Sequence, residues 1–301
     1  MASFFDEIAK NKLRSILLMI AFGLLFSFII YLVVWLLFGG GVFGLLLGGV
    51  LVLIYAVIVY FTGDKLVLKI SHANEADKKQ YAILYDIVEG LSSASLLPMP
   101  KVYIINDPSP NAFATGRNKK VSAIAVTTGL LAIMNKRELE GVIAHEMSHI
   151  GNNDIQFMMV AVIFAGAIGI AAAFIRGMAL FGGLSGGNGR NNGGIILLIV
   201  LVVGILAPIF AMLIRLAISR RREYMADANG ARLTRDPQGL ASALKEIQAY
   251  TAKPTAQPVK HANEVSAPLY FANPLSGKNI GNLFSTHPPI EKRIEILQNM
   301  H

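Results

Sequence analysis

His145, Glu146 and His149 lie in the stretch AHEMSHI, two imidazoles four residues apart with a carboxylate beside the first. On a helix, residues i and i+4 share a face one turn apart, so both rings can converge on a single zinc ion. Glu146 then points beside the metal and is placed to take a proton from a water whose acidity the metal raises. The chemistry that suits this triplet is hydrolysis by activated water, with one Zn2+ per chain. The chain has no cysteine, so any zinc must be held by His and carboxylate alone. Farther on, SRRREYMADANGARLT carries a second i, i+4 pair, Glu223 and Asp227. Glu223 is the candidate third ligand, and Asp227 would lie where it accepts the other ring N–H of a zinc-bound His. Taken without AHEMSHI, that pair would be an ordinary solvated helix face.

The elements that must position these residues can be read locally. Asn135 precedes KRELEGVIAHEMSHI with Glu138 three residues on, a capping-box pattern that opens a helix, and Gly151 is suited to close it. Glu75 to Leu91 has helical apolar spacing, LPMPKVYIIND reads as a strand, and NAFATG (111–116) and VSAIAVT read as paired strands around a basic turn. Pro288 and Pro289 start a last helix with an amphipathic run at Ile290, Ile294 and Leu297.

Composition adds a solvent other than water. The chain is 54% hydrophobic and only 15% charged, against about 25% charged in an average soluble protein. Four runs carry no charge: Ile16–Phe38, Val42–Phe61, Ile155–Ile175 and Ile195–Ile214. Each is long enough to cross a hydrocarbon core of about 30 Å, and the first is too long for a signal peptide. They read as two transmembrane hairpins, the second joined by the glycine- and asparagine-rich GGLSGGNGRNNGG. Three basic residues lie in the N-terminal tail, ten between 62 and 154, and twelve from Arg215 onward, against two around the second hairpin loop. The positive-inside rule puts the tail and both larger segments in the cytoplasm. At 1.5 Å per residue, His149 and Glu223 each stand within about 9 to 14 Å of a membrane boundary. Arg220, Arg221 and Arg222 read as an interfacial anchor. The net charge of +8 comes without basic and aromatic interleaving, so nucleic acid is not expected as a partner. No ionisable residue lies inside the four runs, which argues against a transporter. His72, His261 and His301 have no partner pattern and read as surface residues.

HEMSHIGNND, SRRREYMADANGA and STHPPIEKRI together resemble the HtpX-type membrane zinc proteases, whose catalytic core is similar to that of the CAAX prenyl proteases. The resemblance covers essentially the whole chain. It implies a gluzincin core in which His145, His149 and Glu223 bind zinc and Glu146 is the general base, with membrane-protein quality control as the setting. NAFATG matches a segment that lies along the substrate cleft in this family, which implies substrate binding at Asn111 and Ala112 through strand addition. By likeness to the CAAX enzymes, His287 and Arg293 would stabilise the oxyanion.

The expected fold is therefore an integral membrane protein, mainly α with a small β-sheet, combining a zincin core with four transmembrane helices in two hairpins. The expected organisation is a tail and hairpin over 1–61, a catalytic segment over 62–154, the second hairpin over 155–218, and a segment over 219–301 carrying Glu223 and the HPP helix. The expected activity is zinc endopeptidase action on unfolded or membrane proteins, in a multi-pass bacterial inner-membrane protein whose site faces the cytoplasm. Two alternatives stay open: a CAAX-type prenyl protease and a non-catalytic, zinc-bound membrane holdase. Neither a partner membrane protease nor the oligomeric state is readable.

Overall fold

The capping box at Asn135 forms as its residues dictate: the Asn135 side chain accepts the Glu138 N–H and the Glu138 carboxylate accepts the Asn135 N–H. This starts the HExxH helix in the computed structural model, which describes residues 42–156, 220–260, 262, 270–272 and 288–300. In chain order the elements are α1 (Val42–Ile70), β1 (Ala73–Glu75), α2 (Ala82–Ser95), β2 (Lys101–Ile105), β3 (Ala112–Asn118), β4 (Val121–Thr127), α3 (Thr128–Ile133), α4 (Lys136–Gly151), α5 (Arg220–Thr234), α6 (Pro237–Thr251) and α7 (Ile290–Gln298).

The strands make one mixed sheet in the order β1-β2-β4-β3. β2 runs parallel to β4, and β1 and β3 add antiparallel at the two edges. The expected pairing of NAFATG with VSAIAVT is the β3–β4 ladder, in which Phe113 lies opposite Ala125. Glu75 does not begin a helix. It ends β1, and the Asp77 carboxylate accepts the Lys79 and Gln80 N–H groups in a turn, which delays α2 to Ala82. Gly151 ends α4, but Asn153 takes the left-handed conformation beyond it, at φ 61°. Asn tolerates that region because its short side chain bonds locally.

The chain divides into two compact units, residues 1–62 with 160–214 and residues 63–159 with 215–301. Of the first, only 42–62 is described, as the N-terminal part of α1. The helix over the second expected span therefore does not stop at Phe61 but continues to Ile70. The first and fourth expected spans lie outside the described residues, as does the third beyond Gln156. Among the described residues no helix is long and apolar enough to cross a membrane; within α1, many side chains between Phe43 and Val59 are themselves outside the description.

In the second unit α4 is central, packed by α2, α5, α6 and the β3–β4 side of the sheet. Its residues from Leu139 to Ile150 are buried apart from the half-buried Glu140. Two glycines permit the close approach of its neighbours. A Cβ on Gly230 of α5 would stand 3.0 Å from the His145 backbone nitrogen, and one on Gly141 of α4 would stand 2.8 Å from that of Leu240 on α6. Because these contacts are with backbone, no rotamer change relieves them. Gly230→Val should therefore push α5 off α4, destabilise the unit by about 1–3 kcal/mol, and reduce zinc retained per chain. Thermal melting followed by circular dichroism, together with metal analysis of the detergent-purified variant, checks both effects.

Candidate metal centre

α4 puts His145 and His149 on one buried face, and α5 brings Glu223 to the same point. One ligand atom from each falls within 4.8 Å of the other two. His145 Nε2 and His149 Nε2 are 3.1 Å apart, and Glu223 presents Oε2 at 3.7 Å from the first and Oε1 at 3.7 Å from the second.

The hydrogen bonds on the far side of each ring decide what the inner nitrogens are. His145 Nδ1 lies 2.9 Å from Asp227 Oδ1, and His149 Nδ1 lies 3.0 Å from Asp154 Oδ2. Carboxylate oxygens only accept, so both Nδ1 atoms carry hydrogen, and each neutral ring turns an Nε2 lone pair inward. Two lone pairs facing at 3.1 Å repel unless a proton or a cation stands between them. Tetrahedral zinc with nitrogen at about 2.0–2.1 Å separates two nitrogens by roughly 3.3 Å. The donor set of two imidazoles and a carboxylate, three ligands among the described residues, thus fits a zinc ion of the catalytic type.

Without metal the two rings differ in affinity for a proton. Burial lowers His145 to about 4 despite Asp227 beside it. Burial also opposes charge on His149, but Asp154, Glu223 and Glu146 outweigh it and raise this ring to about 9.

Glu146 follows His145 directly and is fully buried. Neither of its oxygens has a hydrogen-bond partner among the described residues. Burial, reinforced by Glu223, raises its carboxyl to about 7 against the opposing effect of His149. The Ala114 backbone on β3 also lowers it, but not from within hydrogen-bond geometry. A carboxyl poised near neutrality and without a donor among the described residues is suited to accept and return a proton.

Asp227 is held by Arg293 on α7. The guanidinium bonds it through two nitrogens, Nε to Oδ2 at 2.8 Å and Nη2 to Oδ1 at 2.7 Å. Burial alone would raise the Asp227 carboxyl, yet this pairing keeps it well below the usual carboxylate range. Arg293 itself is fully buried and gives Nη1 to the Phe271 carbonyl at 3.1 Å. Three of its N–H groups thus go to Asp227 and Phe271, and through Asp227 it orients His145. His287, expected with Arg293 at the oxyanion, lies outside the described residues.

Asn111 and Ala112 also have partners within the chain. Asn111 bonds the Ala272 backbone from both ends of its amide, Nδ2 to the carbonyl at 2.9 Å and Oδ1 to the N–H at 3.2 Å, and Ala112 O accepts the Phe271 N–H at 2.8 Å. The segment 270–272 thus covers the start of the β3 edge where substrate was expected. Arg222 departs from its expected role as well. It is buried, with Nη1 3.9 Å from Asp154 Oδ1, whereas Arg220 and Arg221 are exposed.

Two residues of the site escape sequence reasoning. Asp154 follows His149 by five positions, just past the helix end, and an acidic residue directly after an HExxH helix is the only signal for it. Phe271 stacks edge-on against His145 at 4.8 Å between ring centres and lies under the Arg293 guanidinium at 4.8 Å. No local pattern marks it, since its partners come from α4, β3 and α7.

The model of Peptidase family M48 matches residues 78–301. A "Protease HtpX homolog" of Dictyoglomus thermophilum is 43% identical over 298 residues, covering 99% of this chain and 95% of that protein. Proteins of the same description in Caldanaerobacter subterraneus and Streptococcus thermophilus are 44% identical over 297 residues, with 97% of this chain and 96% of that protein covered, and 42% over 303 residues, with 98% and 99% covered. Among solved structures, Ste24p of S. mikatae superposes with a TM-score of 0.47 at 19% identity, over 81% of this chain and 58% of that one, too slight a likeness to carry weight.

Loss of the bond that orients a ligating His typically weakens metal binding 10- to 100-fold, so Asp154→Ala should lower zinc affinity by about that factor. Competition with a chelating dye measures it, and affinity equal to wild type would show that Asp154 does not orient His149. Arg293→Met strands the Asp227 charge in the interior and should destabilise the unit by about 3–5 kcal/mol. Arg293→Lys should recover only part, because an ammonium cannot bond a carboxylate at two points in one plane. Comparing the three melts checks this.

Proposed function

Because the chain belongs to peptidase family M48 and is a metalloprotease, we propose that it is a zinc-dependent membrane endopeptidase cleaving misfolded or damaged membrane proteins at the cytoplasmic face. The observation that carries the reading is the convergence of His145 Nε2, His149 Nε2 and the Glu223 carboxylate on one point, with the buried Glu146 carboxyl, unpartnered among the described residues, alongside. Bound there by His145, His149 and Glu223, zinc supplies Lewis acidity toward the scissile carbonyl and toward water. Glu146 takes the proton of the attacking water and returns it to the departing amine, two transfers that suit a carboxyl near neutrality. Asp227 and Asp154 keep both ligating rings in the tautomer that presents Nε2, and Arg293 keeps Asp227 ionised. His287 is retained as the residue proposed to meet the oxyanion. Beyond the positions covered by 270–272, the β3 edge remains the proposed place for an extended substrate to add.

The membrane part of the proposal is supported by sequence. Four uncharged runs and a strong excess of basic residues in the segments outside them favour four crossings with both large segments in the cytoplasm. The metal ligands flank the third and fourth runs. Substrates would accordingly be chains reached at the membrane surface.

Glu146→Gln keeps the shape of the side chain and removes the base. The detergent-purified variant should retain one zinc per chain while casein cleavage falls by about 10²- to 10⁴-fold. Chelation should abolish wild-type cleavage, and zinc should restore it. Cleavage at the wild-type rate by Glu146→Gln would overturn the assignment.

A further inference from the structure

Two surface segments of the catalytic unit converge on the end of α4, where the third uncharged run begins at Ile155. The first is the loop after α2. Gly90 to Pro100 contains no charged residue, and Leu96 is 92% exposed with φ at 55°. The left-handed position that closes a helix usually falls to glycine, because a Cβ there is strained. A leucine in that conformation, with its side chain almost wholly in water, gains nothing from the fold itself. Farther along the same loop Pro98 is exposed, and Met99 is 42% exposed. Between them and Leu96, Leu97 turns inward, its Cδ1 3.5 Å from the position of a Cβ on Gly151, which fixes the loop beside the last residue of α4.

The second segment is the end of β3 with its turn into β4, which together carry Arg117, Lys119 and Lys120. It is tied to the same junction, since Gln156 Nε2 donates to the Arg117 carbonyl at 2.8 Å. An uncharged loop with outward aliphatic side chains and a basic turn therefore flank residues 151–156, the first attached through Leu97 and the second through Gln156.

We propose that the loop Leu96–Met99 and the segment Arg117–Lys120 form a rim that seats the catalytic unit on an anionic lipid surface. Leu96 and Met99 enter the headgroup boundary, where apolar side chains leave water. Lys119 and Lys120 meet lipid phosphate, since basic residues near an anionic leaflet are drawn to it. The inference rests on the membrane reading above and goes beyond it by assigning contact to residues outside the uncharged runs. Its consequence is that the end of α4, just beyond the metal ligand His149, is held at the bilayer surface.

The cysteine-free chain makes the test direct. The full-length protein, with a single cysteine in place of Val50, Glu89, Leu96 or Lys120, is labelled with a nitroxide and reconstituted in vesicles of phosphatidylcholine with or without phosphatidylglycerol. Collision with oxygen, relative to collision with a water-soluble nickel chelate, reports depth. Val50, on the uncharged run of α1, reports the membrane reading itself, and Glu89, exposed on α2, reports water. Leu96 should show an oxygen-to-nickel ratio several-fold above Glu89, with Lys120 between them. The Leu96 ratio should rise further with phosphatidylglycerol, and that increment should vanish in the Lys119→Gln, Lys120→Gln background. A Leu96 label as water-exposed as Glu89, beside a Val50 label in lipid, overturns the rim and leaves the membrane reading standing. A Val50 label in water overturns the membrane reading. A Leu96 ratio that ignores phosphatidylglycerol removes the basic turn from the rim.

Discussion

Asp227 and Arg293 form an ion pair closed off from water, and the metal centre depends on it. An isolated carboxylate at that depth would take up a proton, and a neutral acid would no longer compel His145 to present its lone pair inward. The two-point bond from Arg293 prevents this and also fastens α7 to α5. The same guanidinium holds the Phe271 carbonyl and covers its ring, which in turn lies edge-on against His145. One pair of side chains thus fixes ring tautomer, ring orientation and the attachment of the C-terminal helix. Buried pairs of this kind add little net stability compared with apolar residues, but losing one partner is costly. The function they serve is geometric.

The second ligating ring is served by a separate carboxylate. Asp154 bonds His149 from just beyond the Asn152–Asn153 turn that follows α4, and the Arg222 guanidinium approaches the same carboxylate from the residue before Glu223. The two halves of the site are therefore joined at the end of α4 and the start of α5, as well as through the metal ligands. Gly230, against the backbone of His145, sets the spacing between the two helices that carry them. Glu146 stands apart from these networks among the described residues, where neither of its oxygens has a hydrogen-bond partner, and this leaves it available for proton transfer.

The start of the β3 edge shows how a local expectation meets a tertiary competitor. Asn111 and Ala112 lie on an edge strand, as their sequence suggests, but an edge offers hydrogen bonds to any extended chain. The chain's own residues 270–272 take those groups, and Phe271 then reaches the metal centre from the strand edge. Arg293 likewise meets the buried Asp227 carboxylate at two points, a pairing between α7 and α5 that no local pattern announces.

What the sequence determined by itself is whatever depends on spacing along one helix. The i, i+4 placement of His145 and His149, the adjacent Glu146, the capping box at Asn135 and the paired Glu223 and Asp227 follow from 3.6 residues per turn and from the exclusion of thiolate ligands. Strands β2, β3 and β4 were legible through alternation and turn residues, whereas the short β1 was not, because its Glu75 falls in register with the helical apolar spacing that follows. Tertiary structure alone decided which groups share a donor. Asp154 rather than solvent orients His149, Arg222 turns inward, Arg293 serves Asp227, and Phe271 closes the ring of contacts around His145. Those choices are made between residues far apart in the chain, by the requirement that every buried charge find a partner, and no local pattern encodes that requirement.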